Sequence, residues 1–331
     1  MTTAGPLVFV SWAPFCSRSD SIAYRLGGVS YMVYSPKWGS RAATILFKYA
    51  SQTWKTLRLL FRQRPRVVFV MTPPVVACIP VWLYTRLTRS AYVIDAHSGA
   101  FVDERWKPLL FLHRFFSRGA LTTIVTSRHL ASLVEGWGAR ATIVSDVPIR
   151  FEDPLPFQRD GRCSMTFVCT FTRDEPVALF LEAAARVSDI QFFVTGRTKD
   201  ADPGLLRAKP ENVTFTGFLP DANYVGLLMA SDAVICLTTA DHTMQRGAYE
   251  AIYLGRPVIT SNFEILRQAF SKGTVFVGNS PDEMAEGIRR MRTELDRYQR
   301  EAQMLKVEKL DRWRVVEGGL RNLLWGTARA Q

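Results

Sequence analysis

One stretch of the sequence decides the fold: Leu237-Thr-Thr-Ala-Asp-His-Thr-Met-Gln-Arg-Gly-Ala-Tyr-Glu-Ala-Ile-Tyr-Leu-Gly-Arg-Pro-Val258. An apolar run typical of a buried strand, residues 233–237, leads into a polar loop and then a short helical pattern. Gly255 and Pro257 follow in the order common at helix C-termini, and Val258 begins another apolar run. This order puts the loop at the carboxyl edge of a parallel sheet, where such sheets bind ligands. A helix N-terminus at that edge favours an anion.

The composition describes a globular and strongly basic chain. Its 331 residues suffice for two α/β domains, and a hydrophobic content of 47% with 22% charged residues excludes a disordered chain. The net charge of +12 favours an anionic partner, which could be nucleic acid, an acidic membrane surface or a phosphorylated substrate. Because no nucleic-acid motif is recognisable and the aromatic residues lie in apolar runs, we expect no nucleic-acid binding.

Cysteine usage and the N-terminus predict a cytoplasmic protein. The five cysteines are scattered without a C-x-x-C pair, which is typical of buried, reduced thiols. The first residues lack the basic and apolar regions of a signal peptide. No apolar run reaches the roughly 18 residues of a membrane-spanning helix.

Apolar runs alternate with helical patterns along the whole chain, which predicts the α/β class with parallel, doubly wound sheets. A segment rich in proline and charge, residues 151–162, interrupts the alternation and predicts a linker. We therefore expect two Rossmann-like domains facing a central cleft, over residues 1–150 and 163–308. Residues 309–331 are predicted to form a C-terminal helix that packs back on the N-terminal domain. The G-x-G-x-x-G fingerprint is absent after the first strand, which argues against a dinucleotide dehydrogenase.

The helical pattern over residues 40–63 interleaves aromatic and basic side chains. Two interpretations remain open. A basic amphipathic helix binds the interface of an anionic membrane. Alternatively, the helix covers the sheet and exposes its basic face to water.

Three segments carry a family resemblance: Val213-Thr-Phe-Thr-Gly-Phe-Leu-Pro220, Leu227-Leu-Met-Ala-Ser-Asp-Ala-Val234 and Gly247-Ala-Tyr-Glu-Ala-Ile-Tyr-Leu-Gly-Arg-Pro-Val258. Together they resemble the two-domain GT-B glycosyltransferases of the 4-like or group 1 kind, most clearly over residues 166–288. The resemblance implies hexosyl transfer without a metal or other cofactor. It also implies that the C-terminal half binds a nucleotide-sugar donor and the N-terminal half binds the acceptor.

The resemblance and the residue types together predict a donor site. Glu250 matches the family glutamate that contacts the nucleotide ribose, and Gly247 would let a phosphate approach the backbone. The preceding loop would offer backbone N–H groups and charge to the diphosphate. The other predicted donor-binding residues are His242, Thr243, Met244, Gln245 and Arg246 in that loop, Gly217, Phe218 and Leu219 near the base, and Arg173 and Arg197 as additional charges.

The chain departs from the family pattern at the donor site. Many members carry two glutamates separated by seven residues. Glu250 matches the later glutamate, and His242 occupies the position of the earlier one. Many also carry an arginine and a lysine after the first strand of this domain, at positions that correspond here to Thr170 and Glu175. Arg173 or Arg197 is the candidate replacement for their charge.

The N-terminal half holds the candidate catalytic residues. His97 follows a predicted strand, and a histidine side chain ordinarily titrates near neutrality, which would suit removal of a proton from an acceptor hydroxyl. Asp95 and Asp103 are rival bases. Ser17, Arg18 and Ser19 precede a helix and are candidate acceptor-binding residues, with ordinary capping as the alternative. No metal cluster is visible, because Asp200-Ala-Asp202 matches a metal motif only by its letters.

A narrower resemblance suggests the acceptor. The segments Thr170-Phe-Thr-Arg-Asp-Glu-Pro176, Thr72-Pro-Pro74 and Ile94-Asp-Ala-His-Ser98 are similar to the β-1,4-mannosyltransferases that extend chitobiosyl-diphosphodolichol. This similarity implies a lipid-linked or cell-envelope glycan precursor as acceptor, at the cytosolic face of a membrane, and a role in polysaccharide biosynthesis. The alternatives are a soluble GT-B enzyme with a small acceptor or epimerase activity, and a catalytically silent protein that binds a nucleotide sugar.

Overall fold

A computed structural model of the chain describes residues 7–35, 42–241 and 243–326. These residues form two compact units. The first comprises the residues up to Pro148 and those from Asp311 onward, and the second is Ile149–Leu310. Each unit contains a six-stranded parallel sheet with helices connecting its strands. The predicted α/β class with two Rossmann-like halves is confirmed.

The sheet of the first unit has the order β2-β1-β3-β4-β5-β6. Its strands are nearly continuous apolar runs, as in parallel sheets that are covered on both faces. Their bounds are β1 Leu7–Ser11, β2 Val29–Met32, β3 Val67–Thr72, β4 Ala91–Ala96, β5 Thr123–Val125 and β6 Ala141–Ile143.

The helices of the first unit cover both faces of this sheet. Their bounds are α1 Ser17–Arg25, α2 Ala42–Gln63, α3 Cys78–Thr88, α4 Gly99–Val102, α5 Leu110–Gly119 and α6 Arg128–Gly136. Helices α2, α3, α5 and α6 share one core with Val8 and Val10 of β1. Helix α1 packs in a second core with Leu7 and Phe9. Because side chains alternate along a strand, these two cores lie on opposite faces of the sheet.

The second unit repeats the plan with the order β12-β11-β10-β7-β8-β9. Its strands are β7 Ser164–Phe167, β8 Gln191–Thr195, β9 Val213–Gly217, β10 Ala233–Cys236, β11 Val258–Ser261 and β12 Thr274–Val277. Its helices are α7 Val177–Ala185, α8 Pro203–Arg207, α9 Asp221–Ala230, α10 Arg246–Leu254, α11 Glu264–Ala269 and α12 Pro281–Thr293. The order of connections reverses between β7 and β10, which makes their carboxyl ends the topological switch point of this sheet.

The last helix, α13 Leu295–Trp325, belongs to both units. Its residues up to Leu310 are part of the second unit, and those from Asp311 onward are part of the first. Trp313 and Leu320 are buried in the same core as Leu7 and Phe9. The C-terminal part of the helix therefore covers a face of the first sheet.

The segment over residues 151–162 contains neither helix nor strand. It packs against the second unit, because the backbone N–H of Leu155 donates to the carbonyl of Ala222 at 3.1 Å and Arg159 pairs with Asp232 at 2.7 Å. A Cβ atom on Gly226 would lie 1.8 Å from the carbonyl oxygen of Leu155, so only glycine permits this contact. The segment predicted as a linker is thus anchored along part of its length.

Two short helices, α4 and α8, were not predicted. They span only four and five residues, which is too short to show a helical period. No helix within the described ranges combines the length and the apolar character that crossing a membrane requires.

Candidate active site

Two loops meet at the switch point of the second sheet. One follows β7 and the other follows β10, and these strands are neighbours. The Thr238 hydroxyl donates to Asp174 Oδ2 at 2.9 Å, and the backbone N–H of Thr239 donates to the Asp174 carbonyl at 2.6 Å. The loop of the opening stretch is therefore fixed to the β7 loop at the edge where parallel sheets bind ligands.

Helix α10 begins at this edge. Gln245 is its N-cap residue, and its side chain makes no capping hydrogen bond. The N–H groups of the first turn are thus not capped by that side chain, and such groups attract anions. Met244 and Arg246 are exposed, while Thr243 and Gln245 are half-buried. His242 lies outside the described residues.

Gly247 is required for packing. It is buried in the first turn of α10, and a Cβ atom there would lie 2.8 Å from Val168 Cγ1 and 2.9 Å from Cys236 Sγ. The missing side chain lets the start of the helix approach the ends of β7 and β10. This close approach brings the helix N-terminus to the switch point, which is a structural reason for the glycine in addition to the predicted phosphate contact.

Glu250 is buried one turn into α10 and is held by two donors. The Tyr224 hydroxyl donates to Oε2 at 2.7 Å, and Arg246 Nε donates to Oε1 at 2.8 Å. Burial and the charge of Glu250 raise the pKa of Tyr224 well above its ordinary value, so the phenol remains a donor. Each carboxylate oxygen keeps a further lone pair that can accept from a ligand hydroxyl.

Arg197 and Phe218 come together at the ends of β8 and β9. The Arg197 guanidinium lies 5.2 Å from the centre of the Phe218 ring, which is 66% exposed. Gly217 has a φ of 73°, a conformation that glycine adopts without strain, and Leu219 is half-buried. Arg197, predicted as a charge for the diphosphate, therefore stacks on the segment predicted to meet the base.

Glu175 lies in the loop after β7 and makes contacts that the sequence did not predict. Its carboxylate accepts from the backbone N–H groups of Thr170 and Thr172, both at 2.9 Å. Phe171 between them has a φ of 60°, which is strained for a residue with a side chain. Successive N–H groups that converge in this way form an anion-binding concavity, and here an internal carboxylate occupies it. Arg173 is exposed in the same loop.

The first unit has its own charged cluster at the carboxyl end of β4, whose second-last residue is Asp95. Asp95 is completely buried, and Arg18 Nε contacts its two carboxylate oxygens at 3.1 and 3.2 Å. Arg18 also donates to the carbonyl of Val144 at 3.0 Å. His97 Nε2 lies 3.5 Å from Asp95 Oδ2, and its side chain is 34% exposed. Asp95 therefore anchors Arg18 and His97 and does not itself reach the surface.

Cys16 and Ser19 complete this cluster. Ser19 is fully buried, donates to Cys16 Sγ at 3.1 Å and shares a hydrogen bond of 2.7 Å with Ser11. Ser19 was predicted to contact the acceptor, but its hydroxyl is committed to the packing of α1 on β1. Ser17 is half-buried in the same turn. Cys16 was not predicted as part of the site, because its interaction with His97 joins segments that are distant in sequence.

These contacts set the protonation of the cluster. Burial alone would lower the pKa of His97, but its interactions with Asp95 and Cys16 raise it to about 9. Burial opposes ionisation of Asp95, yet the Arg18 charge and the contact with His97 lower the pKa of Asp95 below its ordinary value. Burial alone would raise the pKa of Cys16, but its interaction with His97 and the hydrogen bond from Ser19 lower that pKa below its ordinary value. His97 is consequently protonated at neutral pH and becomes a base only when it loses that proton.

The carboxylate of the rival base Asp103 accepts hydrogen bonds from Arg105. Hydrogen bonds from Arg105 lower the pKa of Asp103 to about 2, which makes it a weak proton acceptor at neutral pH. Across the described ranges, no group of three or more His, Cys, Asp or Glu side chains is arranged to hold a metal ion.

Both halves of the chain match known glycosyltransferase domains. Residues 162–294 match the domain described as "Glycosyl transferases group 1", and residues 15–148 match the "Glycosyl transferase 4-like domain". The chain is a glycosyltransferase with the GT-B fold. The first match includes β7, β10 and α10, and the second includes α1 and β4. A search of curated proteins found no match to this glycosyltransferase.

Several solved structures share its fold. Sucrose-phosphate synthase from Thermosynechococcus elongatus has a TM-score of 0.65 and 13% identity, over 98% of this chain and 100% of that one. HepE from Anabaena in complex with UDP-glucose has a TM-score of 0.65 and 12% identity, over 97% and 99%. A glycosyltransferase from Rickettsia africae has a TM-score of 0.63 and 11% identity, over 96% and 99%. At these identities the similarity establishes the fold.

Proposed function

We propose that this enzyme transfers a hexosyl group from a nucleotide-diphosphate sugar to an acceptor hydroxyl. The observation that carries the proposal is Glu250, a buried carboxylate held by Tyr224 and Arg246 beside the N-terminus of α10 at a switch point. HepE, which shares the fold, has been solved with UDP-glucose. Uridine diphosphate sugars are therefore the first donors to test.

In this proposal the donor binds to α10 and to the loop that precedes it. The ribose hydroxyls donate to Glu250, and the diphosphate lies against the first N–H groups of the helix. Arg246 is half-exposed, so it can leave Glu250 and pair with the phosphates. Fixed dipoles and an arginine then stabilise the charge that develops on the leaving diphosphate, and we propose that no metal is required for this.

Titration calorimetry with UDP tests the donor site. We expect Glu250→Gln to weaken UDP binding by roughly tenfold to a hundredfold, because hydrogen bonds to a charged group contribute about 1.5–3 kcal/mol. Glu211→Gln, which changes an exposed glutamate of the same unit, is the matched control and should bind UDP like the wild type. Equal affinity in all three proteins would refute the assignment of Glu250.

The acceptor side of the proposal rests on the cluster in the first unit. His97 takes the proton of the acceptor hydroxyl, and Asp95 and Arg18 hold it in position. We propose a lipid-linked or cell-envelope glycan precursor as acceptor, in polysaccharide biosynthesis at the cytoplasmic face of the membrane. The resemblance to the mannosyltransferases of lipid-linked glycans and the net charge of +12 support this choice.

Glu175 favours a second candidate, a protein that binds a nucleotide sugar without transferring it. Its negative charge fills the concavity where many relatives place basic residues. Turnover separates the two candidates. If the protein binds a nucleotide sugar but produces neither hydrolysis nor transfer with any donor of a broad panel, the silent protein is the better description.

A further inference from the structure

Three helices of the first unit lie side by side on one face of its sheet. The rings of Phe61 in α2 and Tyr84 in α3 are 5.3 Å apart, and those of Trp82 in α3 and Phe115 in α5 are 5.9 Å apart. The order across the face is therefore α2, α3, α5. Their inner sides fill the core, and their outer sides have no part in the site described above.

The outer sides of these helices carry positive charge without an acid to balance it. None of the three contains Asp or Glu. Their basic residues are Lys48, Lys55, Arg58 and Arg62 in α2, Arg86 in α3, and Arg114 and Arg118 in α5. Burial lowers the pKa of His113 to about 4, so that residue is neutral. No ion pair within these helices can neutralise the arginines.

Large apolar side chains stand among these charges. In α3, Ile79, Leu83 and Leu87 are exposed and four residues apart, so they form one row along the helix. In α5, Phe111 and Phe115 form a similar row beside Arg114 and Arg118. Rows of exposed apolar side chains of this size mark an interaction surface on a folded protein.

An open groove runs between α3 and α5, with a volume of about 540 Å³. It is lined by three aromatic residues and three arginines: Trp82, Phe111, Phe115, Arg86, Arg114 and Arg118. The Arg86 guanidinium lies 5.9 Å from the centre of the Trp82 ring. Guanidinium groups pair with phosphate through several hydrogen bonds, and aromatic rings favour the boundary between water and apolar chains.

We propose that the α3–α5 face docks on a bilayer of anionic phospholipid, with a lipid phosphate in the groove. Leu87, Phe111 and Phe115 then enter the boundary between headgroups and acyl chains. The occupant is chosen by charge, because every charged side chain of the three helices is basic and an anionic bilayer complements that charge. A second copy of the chain would place like charges opposite each other. The inference extends beyond sugar transfer, since it needs neither Glu250 nor His97.

Cosedimentation with vesicles tests the proposal. The full chain should bind vesicles of phosphatidylcholine and phosphatidylglycerol at about 3:1, should bind phosphatidylcholine alone weakly, and should be released by salt. The variant Arg86→Glu/Arg114→Glu/Arg118→Glu should bind about a hundredfold more weakly, because each basic side chain near an anionic surface contributes about fivefold. Leu87→Ser/Phe111→Ser, which leaves the charge unchanged, should also weaken binding.

A matched control distinguishes binding through this face from binding through the net positive charge of the whole chain. Lys199→Glu/Arg207→Glu/Arg300→Glu makes the same change of charge at exposed positions of the second unit and should retain vesicle binding. An equal loss in both triple variants, or none in the groove variant, overturns the proposal. So does a dimer that Leu87→Ser/Phe111→Ser converts to a monomer in sedimentation velocity without loss of vesicle binding. Retained UDP affinity in the groove variant shows that its fold and donor site are intact, which keeps this test separate from that of sugar transfer.

Discussion

Both units place a carboxylate held by an arginine near the carboxyl edge of a parallel sheet, but the two arginines differ in exposure. Glu250 and Arg246 lie four residues apart on one helix, and the Arg246 side chain is 53% exposed. Asp95 and Arg18 are 77 residues apart in sequence, and the Arg18 side chain is only 17% exposed. An exposed arginine exchanges partners readily, whereas a buried pair is costly to separate. The Glu250–Arg246 pair should therefore separate at a lower cost than the Asp95–Arg18 pair, as the proposed binding of a ligand by Glu250 requires.

Stability should show the largest difference between the two pairs. We expect Asp95→Ala to lower the free energy of unfolding by about 3 kcal/mol, because it leaves the Arg18 charge in a partly buried site without its anion. Glu250→Ala should cost about 1 kcal/mol, since Arg246 can turn to water. Urea denaturation of both variants measures the difference. Equal losses of unfolding free energy in the two variants would show that the two pairs contribute equally to stability and would contradict the proposed difference between them.

The pH dependence of sugar transfer should show the next largest effect, and it should depend on the Asp95–Arg18 cluster through His97. His97 has a pKa near 9, above its ordinary 6.5, so its neutral form grows as the pH rises through 9. If His97 is the base, kcat/KM should increase about tenfold per pH unit below 9 and then level off. Asp95→Asn removes the charge that raises this pKa and should move the midpoint toward 6.5. A flat profile in the wild type, or an unmoved midpoint in Asp95→Asn, would exclude the role of this pair.

The same shift links His97 to stability. A histidine whose pKa is higher in the folded state stabilises the fold fully below its unfolded pKa of 6.5 and loses that contribution as the pH rises to 9. Solvent screening of a side chain that is one-third exposed reduces the effect, so about 1 kcal/mol is expected. The wild type should therefore lose more stability than His97→Asn between pH 6.5 and 9. Parallel curves for the two proteins would contradict this.

The Glu250–Arg246 pair could be placed on one helix from the sequence, whereas the Asp95–Arg18 pair could not be predicted. The helical period and the Gly255-Arg-Pro257 stop define α10, so Glu250 and Gly247 fall near its start from local pattern alone. Arg18 was predicted only as an acceptor contact, because nothing local connects it to Asp95. Glu175 was noted because it differs from the basic residue of many relatives. Its hydrogen bond with the backbone N–H of Thr170 depends on the strained backbone at Phe171, which the sequence does not indicate. Residues whose roles depend on contacts between distant segments leave no periodic signal.

Two cysteines beside the pairs should differ in reactivity. Cys16 has a lowered pKa because its interaction with His97 and the hydrogen bond from Ser19 outweigh its burial. Burial, and then the charge of Glu250, raise the pKa of Cys236. Because the thiolate is the reactive form, iodoacetamide near neutral pH should modify Cys16 at least about tenfold faster than Cys236. Peptide mass spectrometry measures both rates, and His97→Asn should slow the modification of Cys16. Faster modification of Cys236 would reverse the assignment.

The smallest expected effect concerns the third carboxylate, Glu175, which occupies backbone N–H groups at the switch point of the second sheet. Glu175→Gln keeps an oxygen for the N–H groups of Thr170 and Thr172 but removes a negative charge near the proposed diphosphate position. Inorganic pyrophosphate should then bind about fivefold more tightly, as expected when about 1 kcal/mol of charge repulsion is relieved. Calorimetry measures this, with Glu182→Gln on the exposed side of α7 as the control. Weaker binding of pyrophosphate would instead show that Glu175 holds the loop in the shape that receives the anion. The second unit would then contain a fixed carboxylate, as the first unit does in Asp95, in addition to Glu250, which we propose binds the donor.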